Sequence, residues 1–167
     1  MSKYSAANWS WTPVAVANAS TMTANGAWFC NGGGASQQIK YSEIYMGGLA
    51  SSSAPCQMMV ARDSTVAATA ITQGTNGSLA LIDVTATAPG TVPGAGWSAT
   101  TMPQRSASLQ LLNLGFNAYG GIVRWVAYPG EEIVTYGNAV NVGEISLSAN
   151  TGGTPGLMMS HVILEST

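Results

Sequence analysis

Charge is what this sequence has least of. Five basic and seven acidic side chains serve 167 residues, 7% of the chain, against roughly 25% in an average soluble domain. A folded chain of this length exposes on the order of 7,800 Å² by mass scaling, and so few charges cover that surface thinly. Either Ser, Thr, Asn and Gln solvate it or much of it is buried against other chains, and the second reading is favoured here. The five cations, Lys3, Lys40, Arg62, Arg105 and Arg124, are scattered. That excludes a basic stripe for neutralising phosphates, so no nucleic-acid partner is expected.

Long apolar runs are missing as well. Gly, Ser, Thr and Asn interrupt every candidate before the ~18 residues that a membrane helix needs, so no membrane partner is expected. The opening Met1 to Trp11 is polar and aromatic where a secretory signal is basic and then continuously apolar. The chain as it stands is expected to start in the cytoplasm, or to have lost its signal. With only two cysteines, Cys30 and Cys56, there is no disulfide framework, and two buried thiols are the expectation.

Histidine is nearly absent too. His161 is alone, which removes multi-histidine metal sites and two-histidine acid/base pairs. Gly94-Ala95-Gly96-Trp97-Ser98-Ala99 has the form of a dinucleotide fingerprint, but Pro93 before it and Pro103 after it deny the strand and helix that the motif requires. Glu131 and Glu132 are adjacent and would point to opposite faces of a strand. A two-carboxylate site would have to be assembled from Glu43, Asp63, Asp83 or Glu144, and their spacing favours no pair. No catalytic residue, cofactor or metal is expected.

What is present is the grammar of an all-β chain. Twenty glycines and turn dipeptides such as Asn25-Gly26, Asn76-Gly77 and Pro129-Gly130 argue against long helices. Between them the apolar pattern has period two. Strands are expected near residues 14–17, 37–46, 56–62, 79–84, 106–114, 122–128, 133–136, 143–148 and 157–165. In residues 37–46, strict alternation puts Ile39, Tyr41 and Tyr45 on one face and Ser42, Ile44 and Met46 on the other. Without helices for parallel crossovers, the fold class is an antiparallel β-sandwich, with a jelly roll as the leading topology. Residues 85–103, rich in Pro and Gly, read as a long loop of functional or interface character. Residues 14–167 form one domain, and residues 1–13 an N-terminal arm ending at Pro13.

Trp9 and Trp11 share a face at period two, as a strand laid across a neighbour requires. The alternative is that they plug one end of the domain's own core. Tyr4, Trp9, Trp11, Trp97 and the turn Pro129, Gly130 and Glu131 are the candidate interface residues.

Three segments carry a family resemblance. Gln38-Ile39-Lys40-Tyr41-Ser42-Glu43-Ile44-Tyr45-Met46-Gly47-Gly48 is followed by Met59-Val60-Ala61-Arg62-Asp63-Ser64-Thr65. Gly121-Ile122-Val123-Arg124-Trp125-Val126-Ala127-Tyr128-Pro129-Gly130-Glu131-Glu132-Ile133 reads as strand, turn and strand, and His161-Val162-Ile163-Leu164-Glu165 comes near the end. With the low-charge Gly/Ser/Thr/Ala texture, these resemble the jelly-roll decoration, or cement, proteins of tailed-bacteriophage capsids. The resemblance implies a homotrimer of jelly rolls on the outer surface of a phage head, bound to the major capsid protein and assembled in the host cytoplasm, with an N-terminal arm making contacts. It brings no catalytic motif. A phage tail-fibre or receptor-binding, carbohydrate-binding head shares fold and texture, but would be expected to carry a trimerising stalk, and the chain has no heptads. A secreted lectin-like or TNF-like module would need a signal peptide.

Overall fold

The computed structural model describes residues 2–11, 22, 27–31, 38–65, 71–72, 80–85, 94–96, 98–99, 102–137, 143–152 and 158–166. Among these residues there is no helix. The strands are β1 (Ser2–Trp11), β2 (Ala27–Asn31), β3 (Gln38–Leu49), β4 (Pro55–Thr65), β5 (Ile71–Thr72), β6 (Ala80–Leu81) and β7 (Gly94–Gly96), followed by β8 (Ser98–Ala99), β9 (Gln104–Asn117), β10 (Tyr119–Val126), β11 (Ile133–Tyr136), β12 (Glu144–Gly152) and β13 (Met158–Ser166). The strand expected at residues 14–17, Trp97, and the turns at Asn25-Gly26 and Asn76-Gly77 lie outside the described residues.

Two antiparallel sheets carry the architecture, and they make the β-sandwich that the period-two pattern implied. The first runs β10, β3, β13, β1, β6, with β11 also paired to β3; the second runs β7, β2, β12, β4, β9. A small ribbon joins β5 to β8. The core lies between the sheets, with Tyr4, Ala6, Ile39, Tyr41, Ile44 and Met46 from the first and Trp28, Cys30, Met58, Val60, Ile145 and Leu147 from the second. Trp28, Leu147 and Val60 form one transverse row across β2, β12 and β4. Each such large apolar side chain contributes about 1.5–3 kcal/mol when it leaves water.

Strict alternation fails in β3, for a local reason. Ile39, Tyr41, Ile44 and Met46 are all buried in the core, while Tyr45 faces outward and is only partly buried. The phase changes at Ser42, where the register of β13 on β3 slips between Ile163 opposite Glu43 and Leu164 opposite Tyr41. One extra residue is absorbed there as a bulge, turning the strand by one side-chain step. The other flank of β3 changes partner at the same place: β10 pairs with it up to Glu43, β11 from Tyr41, and the Ala127 N–H donates to the Ser42 carbonyl at 2.9 Å.

The expected N-terminal arm is corrected by the structure. Ser2–Trp11 is a strand inside the first sheet, paired with β13 on one side and β6 on the other. Tyr4 and Ala6 point into the core, while Lys3 is exposed and Ser5 and Ala7 are partly buried. Alternation of an aromatic and a small residue with polar or small neighbours is what a half-buried strand requires, so the sandwich begins at Ser2 and not after residue 13. The Pro/Gly segment is corrected in part, because β7 pairs with β2 and β8 with β5.

The middle of the second sheet, at β4 and β12, is buried on both faces. Opposite its core face, Met59, Ala61 and Asp63 of β4 and Glu144, Ser146 and Ser148 of β12 are all at or near full burial. Arg105 at the start of β9 is 4% exposed. Toward its β9 edge the sheet opens to solvent, with Ser108, Gln110 and Asn113 exposed.

Candidate functional site

β10 is an edge strand of the first sheet, and its alternation divides it cleanly. Val123 and Trp125 pack against the core. Ile122, Arg124 and Val126 face outward, and Tyr128 continues the line. Ile122 is 69% exposed and Tyr128 77%, which is far out of water's favour for an apolar edge that a partner does not cover.

Arg124, in the middle of this stripe, is neutralised on its own face. Its Nε and Nη2 donate to Glu43 Oε2 at 3.0 and 2.6 Å, and its guanidinium carbon lies 5.2 Å from the centroid of the Tyr45 ring. The Tyr45 hydroxyl donates to the same Glu43 oxygen. Register explains the grouping, because Arg124 stands opposite Tyr45 and Val126 opposite Glu43. The hydrogen bond to Glu43 raises the pKa of Tyr45 and likewise that of Arg124. Cation and anion compensate each other, leaving the stripe apolar in character and close to neutral.

The strand is held firmly at both ends. Beyond Val126 the chain makes a type II turn: Pro129 fixes the first corner, Gly130 takes φ +90° at the second, and the Glu131 N–H donates to the Tyr128 carbonyl at 2.9 Å. The Gly130 N–H donates to both Glu132 carboxylate oxygens at 3.1 Å. The Glu132 carboxyl is held below its usual range by its own backbone N–H and that of Gly130. At the other end, Asn117 pins the corner from β9 to β10. Its Oδ1 accepts from the Ala54 and Tyr119 N–H groups at 3.0 Å each, and its Nδ2 donates to Ser53 Oγ at 2.8 Å. Tyr119 and Leu49, opposite each other in register, are exposed beside this corner.

The structure separates the candidate interface residues. Pro129, Gly130 and Glu131 are exposed and adjoin the β10 stripe. Tyr4 is 3% exposed and belongs to the core, since it sits on the inward phase of β1. Trp9 and Trp11 lie in β1 opposite the last strand; their side chains, like Trp97, are outside the described residues. The residues that sequence reasoning missed are Ile122, Val126, Tyr128, Tyr119 and Leu49. The alternation of 122–128 was legible, but both of its faces are apolar, and only the packing of Val123 and Trp125 shows which one is left outside.

No group of three or more His, Cys, Asp or Glu side chains suited to a metal ion occurs among the described residues. No helix among them is long and apolar enough to cross a membrane. Comparison with protein-family models, with curated proteins and with solved structures finds no match to this chain.

Proposed function

We propose that this chain is a structural virion subunit: a jelly-roll decoration protein that associates as a homotrimer and binds the major capsid protein on the outside of a phage head. The single observation that carries the reading is the β10 stripe, an exposed apolar edge whose one cation is cancelled by Glu43 on its own face. Such a surface favours a partner that is itself apolar and neutral, and a second copy of the same stripe satisfies that condition. The scarcity of charge supports it further. Asp63, Glu144 and Arg105 are buried, so at most nine of the twelve formal charges are left for a surface of 7551 Å². The strand order supports the jelly-roll topology, with β1, β13, β3 and β10 in one sheet facing β2, β12, β4 and β9 in the other.

The test is analytical sedimentation of the purified chain and of an Ile122→Asp, Val126→Asp double variant, followed by co-sedimentation with empty phage heads. The wild type is expected to run as a trimer and to pellet with heads. The variant is expected to keep its fold and run as a monomer. A wild type that is monomeric at micromolar concentration and stays in the supernatant sinks the proposal. Retention on a glycan array instead of heads would transfer the stripe, with Tyr119 and Tyr128, to the receptor-binding reading.

A further inference from the structure

The outer face of the second sheet holds two acids that the sequence spaced 81 positions apart. Ile145 pairs with Arg62, and one step further along the same register Glu144 comes opposite Asp63. Both side chains are 0% exposed. On the other flank, Arg105 of β9 stands opposite Asp63, completing a transverse row of Glu144, Asp63 and Arg105. Ser146 Oγ donates to Asp63 Oδ1 at 2.6 Å, and Arg105 Nη1 donates to Ser148 Oγ at 3.0 Å. Asp63 Oδ2 has no donor from any N–H or hydroxyl of the protein, yet the Asp63 carboxyl lies within hydrogen-bonding reach of that of Glu144. Two carboxylate oxygens in contact are both acceptors. They bond only if one of them carries a proton.

Like charges directly opposed on neighbouring strands repel, and an ion stripped of water without a partner costs several kcal/mol. Arg105 supplies one positive charge. Arg62, next in sequence, is on the core face and donates to the Val134 carbonyl. The Cys30 thiol, also on the core side, is pushed well up by burial and then by Glu144 and Asp63. β2 and β7 hold no charged residue, and residues 64–82 and 84–104 contain none at all.

We infer that Asp63 and Glu144 are a buried acid pair holding a proton between them, and that this proton is a pH-sensitive fastener for the outer face of the second sheet. While it is held, the row of three is neutral. When it leaves, two opposed carboxylates face one guanidinium without water. Burial, the largest influence, raises the pKa of Asp63 from 3.8 to about 7, against the smaller lowering effects of Glu144, Ser146 and Arg105. The folded state therefore binds the proton more tightly than the unfolded chain does. Stability from the pair is full below the unfolded value and is lost as the pH rises through about 7.

The experiment is urea denaturation of the full chain from about pH 5 to pH 8, for the wild type and for Asp63→Asn and Glu144→Gln. The wild-type midpoint is expected to fall as the pH rises, and the fall is expected to be much shallower in either variant, whose amide donates the missing hydrogen bond at every pH. His161 is present unchanged in all three proteins, so the difference between slopes isolates the pair. If neither variant folds, the infrared band of a protonated carboxyl in the wild type near neutral pH, absent at higher pH, is the second readout. A flat or rising wild-type midpoint, a variant with the wild-type slope, or no protonated carboxyl band overturns the inference. So does a midpoint raised by calcium and lowered by a chelator, which would put a cation where the proton is assigned.

Discussion

Arg62 Nη1 donates to the carbonyl of Val134 at 2.8 Å, joining the middle of one sheet to a strand of the other across the end of the core. Arg62 lies in β4 and Val134 in β11, so the bond spans the sandwich rather than a hairpin. Arg62→Ala removes a charged donor from a partly buried carbonyl, and hydrogen bonds of this kind contribute about 1.5–3 kcal/mol. A loss of that size is expected in chemical denaturation. Arg62→Lys is expected to recover only part of it, because one ammonium does not reproduce the reach and planarity of the guanidinium.

Glu43→Gln leaves Arg124 uncompensated in the apolar stripe. Both side chains border water, so little change in melting temperature is expected. Association is expected to weaken severalfold and to become more dependent on salt, since an unpaired cation would have to be buried at the contact. Sedimentation at two ionic strengths measures both effects.

Two glycines in strands give opposite expectations. A Cβ at Gly48 would overlap the Ala118 side chain and lie 2.8 Å from its Cα, whereas a Cβ at Gly115 meets nothing within 4 Å. Gly48→Ala is expected to cost about 3 kcal/mol, at the upper end for overpacking. Gly115→Ala is expected to be neutral or stabilising by up to about 1 kcal/mol, because it restricts only the unfolded chain. Parallel melts of the two variants decide it.

Cys30 and Cys56 are both free and buried. Burial raises the pKa of each thiol, and the Cys56 thiol is tied to the Phe116 carbonyl at 3.5 Å. Since the thiolate is the reactive form, neither should react readily with an aromatic disulfide reagent in the native protein at neutral pH. Both should react at once in denaturant, and in the native state Cys56, nearer the surface, should be the first to yield.

The fold class was legible because alternation and turn chemistry are local. Ile133–Tyr136 matches its expected bounds to the residue, and the strand expected at 122–128 is β10, which runs Tyr119–Val126. What sequence did not reveal was set by partners far along the chain. Tyr4 reads as an anchor on an arm until β13 and β6 are seen to flank it. The bulge at Ser42 depends on a change of neighbours from β10 to β11, and no local pattern announces it. Glu144 and Asp63 are ordinary acids in sequence and become a pair only through the register of β12 on β4.

The first sheet has β13 lying between β1 and β3, with Ser2 opposite Ser166. During synthesis β1 and β3 therefore have no shared neighbour until β13, more than a hundred residues after β3, has left the ribosome. Until then Tyr4, Ile39 and Ile44 belong to two unjoined pieces with open edges. Contacts of such long sequence separation slow folding, and open apolar edges in a waiting chain invite association between nascent copies. Yield in a cell should thus depend more on temperature and chaperone supply during translation than on the stability of the finished sandwich.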